Sequence, residues 1–401
     1  MMKKKTMRTV LALFFLGCTG EAWAGGLYLY ELGTEDLGLA NAGSAARAQD
    51  ASVVANNPAG MTRLPDNQLT LGAQLLYGDL DYTLSDADLN GPGNVVGWLP
   101  GGSAFYSHSV NEDLKLGVAL YGNFGLSLDF GDNWSGHNLL TEATLMGLTL
   151  QPSLAYRLSD RWSVGTGLGV NYGIFSLTRD KVIAGGEVES EDTDVAWNSK
   201  IGVLFELSAQ TRFGLVYASK VDYSFAVDAT GTLPRLDRSW TLPVNLMVDA
   251  PQQVMFSAIQ VLNSRWSLLG EIGWQDWSRL SEAEITIGAG TRASTLDLQD
   301  TWHGAVGLQY QLTDDTRLNF GVAYDSSMYE NQDDISLAMP SGASWRLGTG
   351  VQHQLDEHSS LGAAFEYLLS EDASAAAPTV LAGSYDDPRM YFFGVNYSHR
   401  F

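Results

Sequence analysis

The chain has 401 residues, with 46 acidic against 23 basic side chains and a formal net charge of −23. So acidic a chain is a poor partner for nucleic acid, whose phosphates call for cations. Its one cysteine, Cys18, excludes a disulfide framework within the chain.

Residues 1–24 read as a secretory signal peptide. Lys3, Lys4, Lys5 and Arg8 form a basic start, Val10 to Gly17 a short apolar core, and Ala22-Trp23-Ala24 a cleavage site of the A-x-A form. Lipoprotein processing at Cys18 is the weaker alternative, because Phe15-Leu16-Gly17 is a poor lead-in. Beyond residue 24 no apolar run reaches the roughly 18 residues of a helical span. Yet the chain is 45% hydrophobic and 11% aromatic with only 17% charged residues. A transmembrane β-barrel reconciles these facts, since its lipid-facing residues are spread over short alternating segments.

Residues 25–67 are rich in small side chains and follow neither a 2-residue nor a 3.6-residue apolar period. Placed before a barrel, such a segment is most simply a hatch that fills a lumen too wide for side chains. The Asn57-Pro58-Ala59 turn ends it and is expected to lie buried at the periplasmic end and hold it shut.

Residues 68–401 read as about 14 antiparallel strands. Their expected starts lie near Gln68, Gly101, Leu114, Thr144, Arg161, Asp194, Thr211, Gln252, Arg265, Gln299, Thr316, Ala343, Ser359 and Met390. Short polar turns such as Asn111-Glu112-Asp113 and Asp356-Glu357-His358 alternate with long connections at 80–99, 127–143, 179–193, 229–250, 280–297, 326–342 and 370–389. That rhythm is the outer-membrane pattern, short turns facing the periplasm. The last strand, Tyr391 to Phe401, alternates apolar with Gly, Asn, Ser and Arg and closes on an aromatic. The Gly165–Gly173 run contains the spacing of a phosphate loop, but no helix follows, so its glycines read as packing positions on a lumen face. Trp134, Trp162, Trp266, Trp274, Trp277, Trp302 and Trp345 fall at strand ends, where interfacial girdles form.

No catalytic or metal constellation emerges. The six histidines are scattered, and the acidic stretch Glu187 to Asp192 reads as a solvated loop. Lys200 and Lys220 are expected to point inward at mid-height, as is Arg346, with Arg47 in the hatch. A cation there pairs with Asp222, Glu206 or Glu271, or else receives a ligand carboxylate.

The order of several short motifs resembles the FadL long-chain fatty-acid transporter family. The segment Leu37 to Met61 is similar to its hatch, which ends in Asn-Pro-Ala. Gly122-Asn123-Phe124-Gly125 is similar to its kinked third strand, with Asn123 for the family's Pro. Asn133-Trp134-Ser135-Gly136, Gln151-Pro152 through Tyr156, Trp274 to Ser278, Asp300-Thr301-Trp302 and Gly321 to Asp325 follow in family order. Near Pro340-Ser341-Gly342 the chain lacks the Asp and Arg that the family commonly carries. The resemblance implies a monomeric channel in the outer membrane of a Gram-negative bacterium, made by the barrel assembly machinery and set in outer-membrane lipid. It implies no enzyme activity and no cofactor. Its cargo is a hydrophobic small molecule, a long-chain fatty acid or a neutral hydrocarbon such as a monoaromatic. The ligand binds in the lumen and leaves sideways at Gly122–Gly125. A general porin is the runner-up, which a plugged lumen disfavours.

Overall fold

The computed structural model describes residues 30–181, 187–233, 238–282, 284–287, 290–293, 297–333, 335–375 and 380–401. The expected signal peptide lies outside them. Fourteen antiparallel strands close into one barrel: β1 Gln68–Asp79, β2 Gly97–Ser109, β3 Leu114–Asp129, β4 Glu142–Arg157, β5 Trp162–Asp180, β6 Glu187–Glu206 and β7 Thr211–Ala218. The circle continues with β8 Gln253–Val261, β9 Trp266–Gln275, β10 Thr301–Gln311, β11 Thr316–Asp325, β12 Ser344–Gln354, β13 Ser359–Ser370 and β14 Arg389–Arg400, which pairs back onto β1. Chain neighbours are spatial neighbours around the barrel, which closes at the β1–β14 seam.

The alternation inverts that of a soluble protein. Leu71, Leu150, Leu168, Ile201, Val306 and Val395 are exposed on the outer wall, while Thr149, Gln151, Asn171, Gln309, Asn319 and Asn396 are buried inside. Lipid tails accept the first set, and the lumen satisfies the second by hydrogen bonds. At the short turns an Asn or Asp side chain caps the reversal. The Asn111 carboxamide oxygen accepts from Asp113 and Leu114 N–H, and the Asp356 carboxylate from His358 and Ser359 N–H. Such local caps suit tight reversals.

Several long connections are strands rather than loops. The expected connection 179–193 continues the ladder, with Arg179 opposite Val188 and Thr178 opposite Glu189. The acidic stretch Glu187 to Asp192 is thus the upper end of β6. Charges fit a strand once it has left the bilayer. Outside the barrel, Val221–Leu233 and Arg238–Ala250 form a four-stranded sheet with Glu284–Ile287 and Gly290–Ala293. Trp134 and Trp277 do not join a girdle. Both are buried, and their indole N–H groups donate to Leu140 O and the Gln275 side chain. Trp162, Trp302 and Trp345 are exposed on the outer wall.

The N-terminal segment fills the lumen with short helices, α1 Thr34–Gly38, α2 Ser44–Arg47 and α3 Val53–Asn56, followed by a 3-10 turn at Pro58–Arg63. Ala40, Asn41 and Ala48 have positive φ, which for alanine costs about 1–2 kcal/mol. Their surroundings, not their local preference, set that path. The wall makes room for it with glycines. A Cβ on Gly321 would stand 2.0 Å from Leu39 backbone atoms, and one on Gly165 2.3 Å from Ala59 N. The Gly165–Gly173 run is therefore packing surface, and at Gly165 it is the plug that approaches.

Candidate functional site

The four lumen cations expected from the sequence meet four different environments. Arg346 is fully buried and shared among Asp325 at 2.7 Å, Glu366 at 3.3 Å and Glu31 of the plug. His303 Nδ1 lies 2.7 Å from Asp325, and the Tyr30 ring stacks on His303 at 4.5 Å. Arg47 lies inside the plug against Asp36, which Asn56 also contacts, and Glu35 at 3.6 Å. Burial pushes the Asp36 carboxyl up, and Arg47 opposes that shift. Lys220 is not at mid-height. It follows the end of β7, is 36% exposed, and pairs with Asp222 at 2.5 Å and Asp249 at 2.9 Å. Those hydrogen bonds, Asp222 first, hold its ammonium above its ordinary value. Alternation reports which way a residue faces, but not its height on the wall.

Lys200 differs from the other three. It is 4% exposed on β6, and no carboxylate lies within ion-pair distance among the described residues. Its Nζ donates to Ala55 O of the plug at 2.5 Å and reaches the Tyr121 hydroxyl at 3.5 Å. It lines a cavity of about 30 Å³ with Tyr30, Leu32, Val216 and Met255, among polar Asn41, Ser44, Asn56 and Gln253. Glu206 is instead taken by Arg63 at 2.6 Å. Glu271 accepts from Asn41, the Ser44 N–H and hydroxyl, and Ser257, all within the plug and wall.

Asn57 is fully buried and works in three directions. Its side-chain oxygen accepts from Ala59 N at 3.1 Å, capping the turn that Pro58 begins. Its amide donates to Ala45 O at 2.6 Å and to Val203 O of β6 at 3.2 Å, near the periplasmic turn. The turn is thus joined both to α2 and to the wall.

The wall itself is interrupted beside β3. The β2–β3 ladder covers only Ala104–Ser109 against Leu120–Lys115. From Tyr121 upward β3 pairs with β4 alone among the described residues, while β2 down to Gly97 pairs with β1. The β3–β4 register shifts between Gly122 and Phe124, leaving Asn123 as the extra residue of a bulge. Asp129 N donates to Val95 O at 2.8 Å and closes the top of the gap. The facing stretch of β2 is Pro100-Gly101-Gly102. Proline cannot donate to a ladder and glycine weakens one, so this stretch marks an edge that sequence reading could have found.

Two residues at the foot of the gap were missed from the sequence. Tyr121 donates to the Gln151 carboxamide oxygen at 2.7 Å, and Gln151 donates to Val54 O of the plug at 2.7 Å. Nothing in their own segments sets them apart, because their roles follow from which strands face one another.

A closed barrel with apolar outer wall, polar interior and an N-terminal plug defines an outer-membrane barrel with a filled lumen. Residues 15–401 match the family described as outer membrane protein transport protein (OMPP1/FadL/TodX), and the chain belongs to that family. It is 24% identical to the long-chain fatty acid transport protein of Salmonella typhi over the full length of both chains. It is 25% identical to outer membrane protein P1 of Haemophilus influenzae, covering 91% of this chain and 90% of that one. In structure it is similar to a Pseudomonas aeruginosa FadL homologue, with a TM-score of 0.78 at 17% identity over 94% of this chain and all of that one. It is similar as well to the Pseudomonas putida toluene transporter TodX, with a TM-score of 0.74 at 16% identity over 93% and 99%. The family is one of outer-membrane transport proteins rather than enzymes.

Proposed function

We propose that this barrel admits hydrophobic compounds, foremost long-chain fatty acids, and that the ligand carboxylate meets Lys200. The observation that carries this reading is a buried ammonium without a counter-charge, beside the apolar side chains of Tyr30, Leu32, Val216 and Met255. A buried ion without a partner is costly. A carboxylate supplies the partner while its chain remains among apolar groups. The relatives named as long-chain fatty acid transport proteins support the same cargo. Residues 25–67 act as the hatch, held at Asn57-Pro58-Ala59, of a barrel spanning 68–401 after residues 1–24 are removed. The ligand leaves through the wall at Gly122-Asn123-Phe124-Gly125, where β3 has a partner on one side only. The barrel is complete in one chain and works as a monomer within outer-membrane lipid.

The test is uptake by cells lacking their own fatty-acid channel. Expression of the chain is expected to raise uptake of a labelled long-chain fatty acid, and Lys200→Met to lower it about tenfold, the order expected for one charge-assisted contact. If Lys200→Met leaves fatty-acid uptake intact, the headgroup assignment fails. If toluene enters and the fatty acid does not, the cargo is a neutral hydrocarbon. A thiol cross-link between Gly102→Cys and Gly122→Cys is expected to stop transport until it is reduced. Undiminished transport through the cross-linked barrel rules out the lateral route.

A further inference from the structure

We propose that Tyr121 and Gln151 are positioning residues that couple occupation of the Lys200 pocket to loosening of the plug and of the interrupted wall. This rests on Lys200 being the partner of the ligand carboxylate. The geometry is a short chain of donors. Lys200 gives one hydrogen bond to Ala55 O and contacts the Tyr121 hydroxyl. The Tyr121 hydroxyl donates to the Gln151 carboxamide oxygen, and Gln151 donates to Val54 O and to the Ser153 hydroxyl. Val54 and Ala55 are successive carbonyls of α3. The plug is therefore tied here by Lys200 and Gln151, with a longer bond from the Ser153 hydroxyl to Val54 O at 3.4 Å, and the tyrosine hydroxyl stands between the first two.

The acceptor that Lys200 now uses is a neutral backbone carbonyl. A carboxylate is the stronger acceptor for an ammonium group, so an arriving fatty acid takes those N–H donors. Ala55 O then loses its tie to β6, and the Tyr121 hydroxyl loses its cationic neighbour. Tyr121 stands where that loss matters. It is the first β3 residue above the β2–β3 ladder, its ring lies 6.5 Å from Phe105 across the foot of the gap, and the bulge begins at the next residue. Backbone paired on one side alone is the part of a sheet most easily displaced. A neutral ligand of the same length cannot take the ammonium, so it reaches Lys200 without releasing either tie. The device makes the ligand's charge, not its bulk, the trigger.

The experiment compares a long-chain fatty acid with its uncharged methyl ester on the whole barrel in outer-membrane vesicles. The readout is maleimide labelling of Ser103→Cys, a near-isosteric change on the β2 side of the gap. Where Tyr121 is retained, the fatty acid is expected to speed labelling about threefold over the ester, a difference well above rate error. With Tyr121→Phe, which keeps the ring and deletes the hydroxyl, the two ligands are expected to give equal rates. The ratio of fatty-acid to ester uptake should fall with the hydroxyl, and Gln151→Met should reproduce the loss. Heat-modifiable gel mobility checks that each variant is folded. Binding of the fatty acid without any labelling difference overturns the coupling and leaves the Lys200 assignment standing. Absence of fatty-acid binding to the unmodified barrel overturns both. A labelling ratio unaltered by Tyr121→Phe and by Gln151→Met shows that the signal, if present, does not pass through these residues, and overturns the proposal.

Discussion

The plug meets the wall through different chemistry on its two sides. Toward β8–β13 the buried carboxylates stand out: Arg346 joins Glu31 to Asp325 and Glu366, and Glu271 gathers Asn41, Ser44 and Ser257, beside the neutral ties Gln49–Gln309 and Ala45 N–H to the Ser257 hydroxyl. Toward β3–β6 backbone carbonyls accept from Gln151 (Val54), Lys200 (Ala55), Arg157 (Thr62) and Asn57 (Val203), and Thr62 donates to the Ser163 hydroxyl. An ion pair on that side, Arg63 with Glu206, sits at the more exposed rim. A buried ion shared by several counter-charges cannot leave without stranding them. A hydrogen bond to a carbonyl is worth about 1 kcal/mol and is readily exchanged for another acceptor. One side is thus an anchor and the other a catch, and the catch faces the interrupted ladder.

The contrast can be broken most sharply at the anchor. Arg346→Met strands Glu31 and Glu366, leaves Asp325 with His303, and is expected to cost about 3–5 kcal/mol, seen as earlier unfolding in a denaturant series in detergent. Stability equal to that of the unaltered barrel would show that the ion cluster anchors nothing. Glu271→Ala removes an acceptor from four donors and is expected to cost about 2–3 kcal/mol by the same assay. Gly321→Val is a steric version of the same attack, since its Cβ would meet Leu39 backbone 2.0 Å away. Its expected cost is about 1–3 kcal/mol, with steady conductance in planar bilayers where the unaltered barrel is closed. On the catch side, Asn57→Ala should cost only about 1 kcal/mol, the worth of a cap, while slowing uptake in a barrel that remains folded. The smallest effect belongs to Lys220→Ala. Its part-exposed, screened pairs should change stability by less than about 1 kcal/mol and leave uptake as it was.

Much of this was legible because a barrel strand announces itself locally. Most expected starts lie within a few residues of the observed ones, and the short turns carry their own caps at Asn111 and Asp356. The largest displacement, Asp194 against Glu187, arose because strand pairing continues where the lipid pattern stops. Asn57 and Pro58 could be picked out by backbone chemistry, and the Gly122–Gly125 stretch by its resemblance to the family's kinked strand. The partners of Arg346 could not, since Glu31, Asp325 and Glu366 come from distant segments that only closure brings together. Lys220 misled for a related reason, because facing is periodic and height is not. The partial β2–β3 ladder was half visible, in Pro100 and its glycines, but its length depends on how each strand leans on its other neighbour.

The β1–β14 seam sets an order of events. It runs from Gln68 opposite Arg400 to Asp79 opposite Arg389, and Phe401 N donates to Asn67 O at 3.0 Å. These are the first and last strands of the wall, so the cylinder is an open ribbon until the final residues arrive, and pairing across such separation is slow. Only Leu64 to Asn67 connect the plug to β1, while its buried ties reach strands on both sides of the lumen. A plug threaded in after closure would have to find all of those ties from one end of a finished cylinder. Seating it while the ribbon is open would let those ties form before the last strand fastens the barrel around it.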